Sequence, residues 1–345
     1  MKSPAPSLPP VRPAAVEEIP ILDLGPLRRG EPDAKGRLAA ELARVLETVG
    51  FYFLLNHGIT QSLIEVAFAA AARFHDLPLE RKLKLRLNEY NVGYLPMRGG
   101  VTRHSALHEN KKPNVNEAFF MARDLPSDHP DVLAGKPYRC ANQWPQDLPG
   151  FRKACLAYAA ALEKLALRLV PLYALALDLP ETYFAEAFSD PMFKLRLTHY
   201  PPQAPADDAF GLAPHTDTSF MTLLAPNQLP GLSVRLSSGR WIDAPPIECA
   251  FLVNAGDMLR RWTNDRFLAT PHRVINQTGA RRYAIPFFFD CRADHVMTCL
   301  PTCTGPGNPP KYEPTTYVEY MTWFRAMNYG GLAAKDAQGT ALAGS

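Results

Sequence analysis

The sequence predicts an α+β protein whose core is a double-stranded β-helix, or jelly roll. A mixed helix and strand region precedes that core, one long helix backs it and another closes it. Three observations carry this. From Lys194 to Phe289, short runs rich in β-branched and aromatic residues are separated by Pro, Gly, Asn and Ser turns, the pattern of double-sheet β folds. From Phe151 to Leu177, apolar residues recur at 151, 155, 158, 162, 165, 169, 172 and 176, which is helical spacing over a long stretch. Leu38, Leu42, Val45 and Val49 mark a further amphipathic helix upstream, and no internal repeat interrupts the plan.

The elements follow in order. Residues 1–17 begin Met1-Lys2-Ser3-Pro4-Ala5-Pro6 and are expected to be a disordered Pro-rich lead, without a continuous apolar core of signal-peptide length. An N-terminal region is expected over 18–135. It opens with a strand at Ile19–Leu24, continues with the Leu38–Val49 helix stopped by Gly50, and adds a buried strand at Phe51–Leu55. Thr60 is placed to cap a helix carrying Leu63, Ala67, Phe68, Ala71 and Phe74 on one side. The long helix, with a kink expected at Pro171, and the jelly roll form a second region over 136–330. Tyr317, Tyr320, Met321, Phe324 and Met327 mark the closing helix, and 331–345 read as a flexible tail.

Composition narrows the class. Hydrophobic residues at 47% and charged residues at 21% are ordinary for a globular protein, and a net charge of +3 is too small to argue for nucleic acid or an anionic membrane. The most apolar helix is interrupted by Glu163, Lys164 and Arg168, so it is not a membrane span. Six cysteines, at 140, 155, 249, 291, 299 and 303, contain no CxxC pair and read as reduced thiols. A cytoplasmic enzyme acting on a small molecule is expected, as a monomer or weak homo-oligomer.

The chemistry is concentrated in His215-Thr216-Asp217, followed by His272 and Arg282. Two imidazoles and one carboxylate, the Asp two residues after the first His, are a ligand set that binds ferrous iron on one face and leaves other positions open. His215 and Asp217 precede a β-rich run, Thr218–Leu224, so the pair is expected at the mouth of that strand with both side chains on one face. His272 falls in another strand-like run, Thr270–Asn276. Arg282 opens a strand reaching Phe289, on which alternation puts Arg282, Ala284, Pro286 and Phe288 on one face. A buried guanidinium there is suited to a carboxylate. The remaining histidines, His57, His75, His104, His108, His129, His199 and His295, are read as non-ligands.

With these residues in view, the chain resembles the isopenicillin N synthase-like family of iron(II)/2-oxoglutarate-dependent oxygenases. The resemblance runs from Ile19 to Tyr329. It rests on Ile19–Leu24, Gly50–Ile59, Leu195-Arg196-Leu197-Thr198-His199-Tyr200-Pro201-Pro202, the three ligands, Pro230-Gly231-Leu232 and Val253-Asn254-Ala255-Gly256-Asp257. It implies Fe(II) at His215, Asp217 and His272, 2-oxoglutarate as cosubstrate with its far carboxylate on Arg282, and O2 as oxidant. No catalytic group beyond the metal ligands is implied. Tyr200 resembles a tyrosine that adds a hydroxyl contact to the cosubstrate, and the Asn91-Val92-Gly93-Tyr94 stretch resembles one that lines the substrate pocket, which leaves Tyr94 either a candidate substrate contact or a plain packing aromatic. Phe288 is expected further along the Arg282 face, on the substrate side.

The resemblance also exposes a departure. The family pattern is Arg-x-Ser where this chain has Arg282-Tyr283-Ala284, so a hydroxyl that normally joins the arginine is missing. Thr198 likewise stands where plant members tend to have Asn. The implied reaction is decarboxylation of 2-oxoglutarate to succinate and CO2 coupled to oxidation of a substrate C–H bond, with hydroxylation as the default. Other uses of the same site stand beside it: an oxidase or cyclase independent of 2-oxoglutarate, an ethylene-forming enzyme, and a catalytically idle iron- or ligand-binding sensor. Loops such as Arg98–Asn114 and Gln203–Ala213 carry no readable code for the substrate.

Overall fold

The computed structural model describes residues 12–13, 18–102, 107, 112–203, 210–225 and 229–339. Two sheets face each other. The larger, in spatial order, runs Ile21–Asp23, Phe51–Leu55, Phe251–Ala255, Met221–Leu224, Pro286–Asp290, Met192–Tyr200, Glu117–Met121 and Gly93–Leu95, with Arg282–Ala284 also paired to Met192–Tyr200. The smaller runs Arg12–Pro13, Trp241–Asp243, Leu232–Arg235, His272–Val274 and Leu212–His215. Nearly all pairings are antiparallel, as a jelly roll requires.

Strict alternation on the large sheet builds two cores. Tyr52, Leu54, Leu195, Leu197, Leu223, Val253, Phe287 and Phe289 point to the helices, where they meet the long helix Phe151–Ala176. Phe51, Phe53, Tyr200, Leu252 and Ala284 point the other way and meet Leu212, Leu232, Val234 and Val274 of the small sheet. The space between the sheets is therefore closed at its flanks by apolar packing, and the polar side chains of the same inner faces are left to line a cavity.

The N-terminal helices form where their sequences say. The first amphipathic helix is Ala34–Thr48, and Gly50 just beyond it has φ +72° and returns its N–H to Val45 O. A Cβ on Gly50 would lie 2.4 Å from Thr270 Oγ1, so glycine is required for packing as well as conformation. Thr60 caps Gln61–His75 by accepting from Leu63 N.

Several expectations are corrected. The strand expected over Arg282–Phe289 is two strands, Arg282–Ala284 and Pro286–Asp290, because Pro286 has no N–H to carry the ladder across the join. Its facing survives the break, with Ile285, Phe287 and Phe289 in the helix-side core. His215 ends a strand, Leu212–His215, instead of standing before one, and Asp217 lies in the turn that leads to Met221–Leu224. That turn is held away from strand geometry by the helix Asp257–Trp262, whose first N–H groups at Asp257 and Met258 donate to Asp217 O and Thr218 O. Within the expected lead, Arg12–Pro13 is a strand paired in parallel with Trp241–Asp243, and the other residues of 1–17 lie outside the described residues. The closing helix spans Tyr317–Gly339 and so continues into the segment expected as a tail, whose Leu332-Ala333-Ala334-Lys335 run consists of strong helix formers; 340–345 lie outside the described residues.

Candidate metal centre and active site

Three elements bring the ligand set together. His272 is the cross-strand partner of His215, with ring centroids 4.3 Å apart. Asp217 Oδ1 lies 3.7 Å from His215 Nε2 and 3.6 Å from His272 Nε2. The three donor atoms thus share one small space between the sheets.

Hydrogen bonds fix which atom of each residue faces that space. His215 Nδ1 contacts Ala213 O at 2.9 Å and His272 Nδ1 contacts Thr270 O at 3.2 Å. A carbonyl only accepts, so each Nδ1 carries the proton and each Nε2 keeps its lone pair for a metal. Asp217 Oδ2 accepts from Thr222 Oγ1 at 2.7 Å and from Asn254 Nδ2 at 2.8 Å, which leaves Oδ1 free. Burial alone would raise the Asp217 carboxyl, but His272, His215 and the Asn254 amide hold it well below the usual carboxylate range. Burial, with His215 beside it, brings His272 down to about 4, so the imidazole is neutral and ready to ligate.

The triad stands where two cavities meet. One, of about 500 Å³ counted to its mouth, is lined by Phe51, Tyr200, His215, Asp217, Asn254, His272, Arg282, Ala284 and Phe288 among others. At its far end Arg282 is almost fully buried, its guanidinium 5.3 Å from the Tyr200 ring centroid and its Nε 3.4 Å from Leu229 O. Nη1 of Arg282 is buried with no partner among the described residues, and burial draws the pKa of Arg282 down. A buried cation with no counter-ion is strongly unfavourable unless an anion joins it. The residues therefore fit a cofactor pair of divalent metal and dicarboxylate: two nitrogens and one oxygen at one end, a buried guanidinium with a free Nη1 at the other.

The second cavity, of about 930 Å³ including its open mouth, shares His215, Asp217, Arg196, Leu212 and Phe288 with the first. It extends past Leu95, Phe120, Lys194 and Asp290 to Tyr317, Met321 and Phe324 of the closing helix. Phe288 accordingly lies where alternation from Arg282 puts it. Tyr94 does not. It is wholly buried on the helix side, against Phe74 and donating its hydroxyl to Glu117, because Gly93–Leu95 turns its odd neighbours, not Tyr94, toward the chamber. Leu95 lines the chamber in its place, together with Asn91.

Four lining residues, Lys194, Arg196, Asn116 and Asp290, are not singled out by sequence reasoning. The signal is available for the first two, since counting back by twos from Tyr200 gives Thr198, Arg196 and Lys194 on one face. His199 faces away, as alternation requires. It joins His75 and Glu117 in a second buried trio, but Lys82 Nζ, 2.7 Å from Glu117 Oε2, and Arg281 Nε, 3.2 Å from His199 Nε2, fill that trio with cations. His57 is occupied by Cys249 O and Ile59 N, while His104 and His108 lie outside the described residues.

Comparison with known proteins identifies the family. Residues 19–147 match the family model described as non-haem dioxygenase in morphine synthesis N-terminal, and residues 191–290 match that of the 2OG-Fe(II) oxygenase superfamily. The chain belongs to the 2-oxoglutarate/Fe(II) oxygenases of the isopenicillin N synthase-like type, and the fold and the enzyme class are those of that family. It is 35% identical over 320 residues to a 2-oxoglutarate-Fe(II) type oxidoreductase, hxnY, of Emericella nidulans, covering 90% of each chain. With the 2-oxoglutarate-dependent dioxygenase citB of Monascus ruber it shares 36% over 295 residues, covering 82% of this chain and 87% of that one. A full-length Neurospora crassa protein, solved in complex with alpha-KG and thymine, superposes with TM-score 0.77 at 27% identity, over 90% of this chain and 96% of that one. The cofactors of the family are Fe(II), 2-oxoglutarate and O2. No helix among the described residues is long and apolar enough to cross a membrane.

Proposed function

We propose that His215, Asp217 and His272 hold the iron, that Arg282 and the Tyr200 hydroxyl receive the far carboxylate of 2-oxoglutarate beside Ala284, and that the enzyme hydroxylates a small organic molecule seated against Phe288. The observation that carries this is the meeting of two cavities at the ligand trio, one of them ending on a buried guanidinium whose Nη1 has no partner among the described residues. Iron(II), when bound, supplies the redox centre at which oxygen and 2-oxoglutarate yield succinate and CO2. The chain's own residues supply the rest. Ala213 O and Thr270 O keep both imidazoles in the ligating tautomer, and Thr222 and Asn254 keep Asp217 turned inward. Arg282 balances charge where water is excluded. Phe288 and Leu212, shared by both cavities, bring the substrate up to the metal face.

The test is succinate release with Fe(II), 2-oxoglutarate and O2, across a panel of small substrates, for the parent and for His215→Ala, Asp217→Ala and His272→Ala. Each variant is expected to keep its fold and lose turnover and iron. Full activity in any one of them overturns the ligand assignment.

A further inference from the structure

The strand Met192–Tyr200 lays a polar ladder along the chamber floor. Phe193, Leu195 and Leu197 turn to the helix-side core, so Lys194, Arg196, Thr198 and Tyr200 turn inward. Tyr200 lies opposite Arg282 and Thr198 opposite Ala284, at the cosubstrate end; Lys194 lies opposite Phe288, at the substrate end. Arg196 lines both cavities.

Neither Arg196 nor Lys194 meets a carboxylate among the described residues. Arg196 Nη2 donates to Asn116 Oδ1 at 3.1 Å, the guanidinium lies 5.3 Å from the Phe120 ring centroid, and its Nε is buried with no partner. Lys194 is buried and gives one of its three N–H groups to Tyr90 O at 2.7 Å. Among the described lining residues, the acid other than Asp217 is Asp290, and it is turned to the backbone, accepting from Phe220 N at 2.8 Å. A neutral occupant would leave two cations buried without counter-charge, a costly arrangement, whereas an anionic occupant would complete it. An apolar set, Leu95, Phe120, Leu212, Phe288, Met321 and Phe324, lines the chamber beside neutral polar side chains such as Asn91, Asn114 and Asn328.

From this we infer that the substrate is a small monocarboxylic acid with an apolar body, its carboxylate held by Arg196 and Lys194 and its body lying against Phe288 and the closing helix. The inference rests on the reading of this chamber as the substrate site of the oxygenase. It makes Arg196 the residue that divides the two anions, one carboxylate on Arg282 and another on Arg196.

Calorimetry on the full chain loaded anaerobically with Fe(II) and 2-oxoglutarate tests it. The probes are phenylacetate, 3-phenylpropionate, 4-phenylbutyrate and cyclohexaneacetate, each beside its primary amide. At least one acid is expected to bind about tenfold or more tighter than its amide, the difference that a charge-assisted pair makes. In Arg196→Gln that preference should fall below about threefold, and Arg196→Lys should retain part of it, while 2-oxoglutarate titrates both variants as it does the parent. Amides binding as well as acids, or no acid binding at all, overturns the inference, and this comparison needs no variant. An Arg196→Gln protein that weakens on 2-oxoglutarate and keeps the acid preference also overturns it, by assigning Arg196 to the cosubstrate. Failure of the parent to bind 2-oxoglutarate with Fe(II) is the separate failure of the underlying functional reading.

Discussion

Ala284 is the residue at which this chain departs from its family's pattern, and its surroundings define what the departure does. It is buried on the Arg282 face, and its cross-strand partner is Thr198, whose Oγ1 is buried without a hydrogen-bond partner. Where the family pattern has a hydroxyl this chain has none at 284, and an idle one stands directly across the strand at Thr198. In the proposed assignment Arg282 would retain the charge-assisted part of the grip on a carboxylate, which is worth about 1.5–3 kcal/mol against ~0.5–1.5 for a neutral hydroxyl. Ala284→Ser is expected to tighten 2-oxoglutarate by up to about tenfold, because the new hydroxyl would donate to the carboxylate proposed to lie on Arg282 while accepting from the idle Thr198 Oγ1 across the strand. Anaerobic titration of the iron(II) protein, following the visible charge-transfer band of a chelated 2-oxo acid, measures the change. Weaker binding in the serine variant would mean that the cosubstrate already fills the space above Ala284 and that the pocket is not depleted.

At the scale of elements, the site depends on a turn being pinned by a helix start. Asp217 sits in no strand. Its position comes from the Asp257 N–H donating to Asp217 O at 2.7 Å and from Gly256, where a Cβ would lie 2.3 Å from Ser219 O and 2.8 Å from Asp217 O. Gly256 has an ordinary extended φ of −113°, so the demand for glycine is one of space alone. Gly256→Ala is expected to lower stability by ~1–3 kcal/mol and to weaken metal binding as well, since relief of the clash displaces the carboxylate. Thermal melts and metal titration of the same protein read both effects; a variant that melts lower yet binds metal normally would uncouple the turn from the site. This is also where sequence reasoning reaches its limit. Alternation gives the face shared by Arg282, Ala284 and Phe288 correctly even through the break at Pro286, because burial on both sides enforces the period. The β-rich run after Asp217 misplaces the strand boundary at His215, and the resemblance misplaces the side chain of Tyr94, because both depend on partners distant in sequence: the helix beginning at Asp257 and the acid at Glu117. Gly50 and Thr60 are legible because caps act over a few residues of chain.

The whole molecule couples these parts through the space between its sheets. The proposed ligands His215 and His272 belong to the small sheet, Arg282, Tyr200 and Arg196 to the large one, and Asp217 to the turn joining them. In the proposed assignment metal and cosubstrate would bridge the two sheets in series, and each should stabilise the fold by binding the native state alone. A metal ion is expected to raise the melting temperature of the parent, with Mn(II) as a stand-in that avoids turnover. Adding 2-oxoglutarate at about one hundred times its dissociation constant should contribute ~2.7 kcal/mol more. Order matters in this scheme: 2-oxoglutarate needs the metal at one end, so without metal its effect should be small. Arg282→Leu should keep the metal shift and lose the cosubstrate shift, whereas Asp217→Ala should lose both. If 2-oxoglutarate stabilises the Arg282→Leu protein as fully as the parent, the guanidinium is not the clamp, and the cavity that ends on it belongs to some other ligand.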